Sequence, residues 1–105
     1  MNNPITYDII DNDYIINIYN YMKQKHGNDL LILFHVGKFY ESYIADSIIV
    51  ANILKRPRIL LEKHMEYVIH VTQFPERELD NNVKQLLEAG YGTVISDMIG
   101  GKWET

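Results

Sequence analysis

The chain has 105 residues, 47% of them hydrophobic and 23% charged, a length and balance that suit one globular domain. It has no cysteine, which excludes disulfides, a thiol nucleophile and cysteine-based zinc sites. With 14 acids against 10 Lys and Arg the net charge is −4, so a strongly basic nucleic-acid binder is excluded too.

Residues 1–7 carry neither the basic stretch nor the apolar run of a secretory leader, and no apolar run approaches a membrane span. A cytoplasmic protein without membrane contact is expected. Residues 1–10 read as a lead-in. Asp11 or Asp13 can cap a helix whose apolar positions Tyr14, Ile15, Ile18, Tyr21 and Met22 recur at helical spacing. Lys23, Lys25 and His26 fall in its last turn, where cations suit the helix dipole, and Gly27 supplies a left-handed stop. Residues 30–34 form a continuous apolar run that predicts a strand buried on both faces. His35 ends it and reads as a satisfied structural histidine. Gly37 then predicts a bend or bulge. If residues 38–43 are extended, period two puts Phe39 and Glu41 on one face and Tyr40 and Ser42 on the other.

Residues 44–54 are rich enough in Ile and Val for a strand, yet their apolar and small residues also fit a helix; helix is the reading adopted. Residues 58–61 and 65–71 read as short strands, with Glu62, Lys63 and His64 as the turn between them. After Phe74-Pro75, Glu76 and Glu78 fill the first turn of a helix with Leu79, Val83, Leu86 and Leu87 as its buried stripe and Gly90 as its end. Residues 92–96 are a last strand, and residues 98–105 a tail containing the only tryptophan, Trp103. This order predicts an α/β fold, a mixed β-sheet packed by helices, as one domain over residues 1–105.

Phe39 could be an ordinary core aromatic. Against that, Glu41 shares its face, and a buried face rarely takes an unpaired carboxylate. Lys38, Lys55, Arg56 and Arg58 are candidate phosphate contacts, with a solvated surface as the alternative for each. His64, Glu66 and His70 would share a face if residues 64–70 were extended, and such sets bind zinc. The polar outer face of an edge strand is the favoured reading, and no metal or other cofactor is expected. No nucleophile elbow, phosphate loop or catalytic acid pair is present, and Gly100-Gly101-Lys102 lacks the spacing of a phosphate loop. No enzymatic activity is expected.

The run Val36-Gly37-Lys38-Phe39-Tyr40-Glu41, followed by Tyr43 and then Ala45-Asp46, resembles the start of the mismatch-recognition domain of the MutS family. The family order after the motif is Asp-Ala, inverted here, and the Lys before Phe looks more like the eukaryotic form of the motif. Residues 68–75 are similar to the family's strand ending in a Pro-containing turn, residues 78–90 to its following helix, and residues 92–100 to its final strand. The resemblance covers roughly residues 11–100 and implies a free-standing domain I fold without the connector, lever, clamp and ATPase of the family. It also implies a mechanism: Phe39 wedges in from the minor groove and stacks on a mispaired base, and Glu41 hydrogen-bonds to that base. The implied partner is mismatched double-stranded DNA, bound weakly by this chain alone, with a protein partner or a homodimer as further candidates. The alternative is a protein-interaction module, derived from the same domain, that has lost DNA binding.

Overall fold

The apolar run at residues 30–34 lies in β1 (Leu30–Val36), whose residues Leu31, Ile32, Leu33 and Phe34 are all buried, as expected of a strand covered on both faces. The computed structural model describes the backbone of residues 4–63, 67–99 and 102–103, and the side chains of residues 15–60 and 69–97. Around β1 the chain runs α1 (Pro4–His26), β1, β2 (Phe39–Tyr43), α2 (Ile44–Leu54), β3 (Ile59–Lys63), β4 (Tyr67–Pro75), a 3-10 turn (Glu76–Glu78), α3 (Leu79–Glu88), β5 (Gly92–Ile99) and the two-residue β6 (Lys102–Trp103). The strand order is β3-β4-β2-β1-β5-β6. β1 is antiparallel to β2 and parallel to β5, so the sheet is mixed, as predicted.

The sheet has a core on each face. On one, Tyr19 and Met22 of α1 meet Ile32, Phe34, Tyr43, Ile69 and Val71. On the other, Val50 of α2 and Leu86 of α3 meet Leu31, Leu33, Tyr40 and Phe74. Alternation along β1 sends Ile32 and Phe34 to the first core and Leu31 and Leu33 to the second.

Several expectations are corrected. The first helix begins at Pro4 rather than after an Asp11 or Asp13 cap, so most of the supposed lead-in is helical. A proline fits the first turn because its missing N–H would have had no intrahelical acceptor there. Tyr21 of the expected apolar stripe is 46% exposed, and Tyr19 takes its place in the core; the side chain of Tyr14 lies outside the described residues. β3 continues through Glu62 and Lys63, where a turn was expected, and His64 lies outside the described residues. β4 extends through Phe74 and Pro75 instead of ending at Val71. Leu87 is 62% exposed while Leu86 is fully buried. Leu79, Val83 and Leu86 stand at i, i+4 and i+7 and face inward, and Leu87 lies a further 100° round the helix. The supposed tail is also paired, with Met98 opposite Trp103.

The helix at residues 44–54 is present, and its position is fixed by Asp46. That carboxylate is 2% exposed. It accepts from Lys23 Nζ at 2.9 Å, from the Ile32 main-chain N–H at 2.9 Å and from Tyr19 Oη at 3.3 Å. Burial, and then the Asp46 charge, push the Tyr19 hydroxyl up to about 12, so it serves as a donor. Lys23 also donates to the Leu30 carbonyl at 2.6 Å. One carboxylate therefore ties α1, β1 and α2 together. At the next residue of α2 the Ser47 hydroxyl donates to Thr72 Oγ1 at 2.7 Å, and Thr72 Oγ1 donates to the Ser47 carbonyl at 2.9 Å, which draws the helix close to β4.

Candidate nucleic-acid interface

Val36 and Phe39 are register partners, so only Gly37 and Lys38 connect β1 to β2. Gly37 has a φ of +62°, the left-handed value that a two-residue hairpin of this kind requires at its first central position. The bend expected at Gly37 is thus a tight hairpin turn. The Lys38 carbonyl accepts from the Glu76 N–H at 2.9 Å, which fastens the turn to the 3-10 segment after β4.

Phe39 stands at the base of this turn and is 41% exposed, whereas Tyr40 beside it is 8% exposed. The alternation expected from period two is present. Tyr40 enters the core with α2 and α3, stacked on His35 at 4.4 Å and on Phe74 at 5.8 Å. Phe39 and Glu41 point to the other face. Leaving a phenyl ring substantially in water forgoes part of the roughly 1.5–3 kcal/mol that full burial would contribute.

Glu41 is half-buried and engaged. Tyr43 Oη donates to its Oε1 at 2.8 Å, and Gln73 Nε2 donates to its Oε2 at 3.0 Å. Sequence reasoning missed both donors. Tyr43 could have been found, since it lies two residues from Glu41 on an extended segment. Gln73 could not, because only the pairing of β2 with β4 puts it opposite Glu41.

The four candidate phosphate contacts are not gathered into one patch. Lys38 is exposed in the turn next to Phe39. Lys55, Arg56 and Arg58 lie between α2 and the edge strand β3, which β4 separates from β2. Lys55 and Arg58 are exposed, and Lys55 adopts a φ of +59° at the end of α2. Arg56 is committed within the fold: its Nε donates to the Gln73 carbonyl at 2.9 Å, and its Nη1 to Glu78 Oε1 at 3.3 Å. β3 begins opposite Val71 and does not reach Gln73, so Arg56 supplies the donor that a neighbouring strand would have supplied.

On the far side of the turn His35 stands between two carboxylates, with Nε2 2.8 Å from Glu76 Oε2 and Nδ1 3.1 Å from Asp97 Oδ1. Asp97 is its register partner on β5. The hydrogen bond to Glu76 raises the imidazole above its ordinary value, burial opposes this, and Asp97 adds to the rise. Burial, and then the charges of Asp97, Glu76 and Asp80, raise the Tyr40 hydroxyl as well. His35 is thus satisfied by the fold, as read from the sequence. Of the zinc-type set, His64 and Glu66 lie outside the described residues, and His70 is in β4 with no partner for Nδ1 among the described residues. Among the described residues no group of three or more His, Asp or Glu could hold a metal ion, and no helix is long and apolar enough to cross a membrane.

The family model described as MutS domain I matches residues 14–101. The DNA mismatch repair protein MutS of Porphyromonas gingivalis is 32% identical over 81 residues, which are 77% of this chain and 9% of that protein. Its namesake from Rickettsia africae is 34% identical over 71 residues, 68% of this chain and 8% of that protein. The one from Fervidobacterium nodosum is 33% identical over 78 residues, 74% of this chain and 9% of that protein. The chain thus spans less than a tenth of the length of these relatives.

Proposed function

The chain belongs to the MutS domain I family, and on that premise we propose that it recognises mispaired or distorted double-stranded DNA through Phe39 and Glu41, as a binding module without a chemical step. The observation that carries this reading is the 41% exposure of Phe39 at the base of a braced hairpin turn, on the same face as Glu41. Inserting an aromatic ring between base steps costs a few kcal/mol of stacking, and less where pairing is already broken. A ring on a rigid hairpin therefore discriminates by that difference, and a carboxylate beside it adds a hydrogen bond to the displaced base. Lys38, next to the ring, is the cation best placed for a phosphate, and Lys55 and Arg58 are further candidates. With a net charge of −4, affinity without a partner is low. We also propose a cytoplasmic location.

The test is fluorescence anisotropy at low salt with a G·T mismatch and a matched duplex. The mismatch binds more tightly, Phe39→Ala abolishes the preference, and its melting temperature falls less than that of a core truncation because the ring is 41% exposed. Equal or undetectable binding to both duplexes at micromolar protein refutes the proposal. A second reading, a protein-interaction module that no longer binds DNA, is favoured by the acidic balance and by the internal use of Arg56. It predicts a protein partner whose capture does not depend on Phe39.

A further inference from the structure

Glu41 does not swing freely. Its two oxygens are held by donors from two different strands, Tyr43 of β2 at 2.8 Å and Gln73 of β4 at 3.0 Å. Both donors are themselves fixed. Tyr43 is 1% exposed, and its ring packs at 4.9 Å against Phe34. Gln73 sits opposite Glu41 in the ladder, and its main-chain oxygen takes the Arg56 Nε at 2.9 Å. A glutamate on a strand otherwise keeps several rotamers, and ordering them on binding costs free energy.

We infer that Tyr43 and Gln73 are positioning residues that clamp the Glu41 carboxylate in one orientation beside Phe39 before a base arrives. The inference rests on the reading of Glu41 as the base-contacting group. Each carboxylate oxygen has a second acceptor site, so the clamp leaves room for a donor on the base. Holding a contact group by packed neighbours lowers the cost of using it, and a looser group loses selectivity before it loses binding. Arg56 acts one step further out, through the backbone of Gln73, as a brace.

Two measurements on the intact chain test this. The first is NMR of the Gln73 side-chain amide: Glu41→Ala shifts both of its proton resonances, and unchanged resonances overturn the clamp. The second is the ratio of mismatch to matched affinity. Gln73→Met, which keeps the volume and removes the donor, lowers the ratio about three- to tenfold, the scale of one lost hydrogen bond. Matched-duplex affinity stays the same, the melting temperature falls by no more than the several degrees that one lost hydrogen bond costs, and Tyr43→Phe acts likewise. In a Glu41→Ala background neither substitution changes the ratio further. A Gln73→Met effect of equal size in that background shows that the residue does not act through Glu41, and the inference fails. A wild-type chain with no mismatch preference refutes the base-contacting reading, and the clamp is then decided by the amide resonances alone.

Discussion

At the scale of single residues the site is a contrast between neighbours. Phe39 is spared from burial by the hairpin turn, while Tyr40 is buried by alternation. His35, under Tyr40, offers a pH-dependent contribution to stability. Its value in the folded chain is raised above the ordinary 6.5 by Glu76 and Asp97. A raised folded value means that the contribution is fully present below about pH 6.5 and is lost as pH rises through the folded value. Glu76 and Asp97 are 47% and 53% exposed, so screening keeps the effect small. The melting-temperature difference between wild type and His35→Gln is therefore largest in mildly acidic buffer and closes in alkaline buffer. A difference that is flat with pH, or grows as pH rises, contradicts the assignment.

At the scale of elements, Asp46 does what hydrophobic contact alone does not: it sets where α2 starts relative to α1 and β1. The chain passes from β2 into α2 without a loop, and Ile44 takes a φ of +59° to make the change. A β-branched residue in that region is strained, so the surrounding contacts must hold it there. Asp46→Ala removes those contacts and leaves the Lys23 ammonium, 11% exposed, without its carboxylate. The expected cost is about 3–5 kcal/mol, read as a fall in melting temperature of roughly 10 °C or more. A loss of only a degree or two shows that the lock is not needed. Nothing in the sequence marked Asp46 as buried, because a carboxylate in the first turn of a helix usually faces water. The central strand was legible from its apolar run, a local property, whereas residues 44–54 fitted strand and helix alike and only the fold selects the helix that was adopted.

At the scale of the whole molecule the charge distribution limits how DNA can be held. Lys38, Lys55 and Arg58 are exposed but scattered, and Arg56 is occupied. Each phosphate contact contributes about −0.9 to the slope of log affinity against log salt, so contacts from Lys38, Lys55 and Arg58 together give a slope of about −3. Lys38→Ala makes the slope shallower by about one and weakens matched and mismatched duplexes alike. A measured slope near twice that value shows that cations other than these three carry the contact.

Sequence by itself determined the fold class, the family, the break in the chain at Gly37 and the opposite facing of Phe39 and Tyr40. Each follows from local periodicity or from a contiguous motif. Only the tertiary structure decided that Gln73 meets Glu41, that Arg56 turns inward, that Asp46 joins three elements and that Leu87 is left in water. These depend on which strands become neighbours and in what register, and a pairing between residues more than 30 positions apart, such as Glu41 with Gln73, leaves no mark in the spacing of either segment.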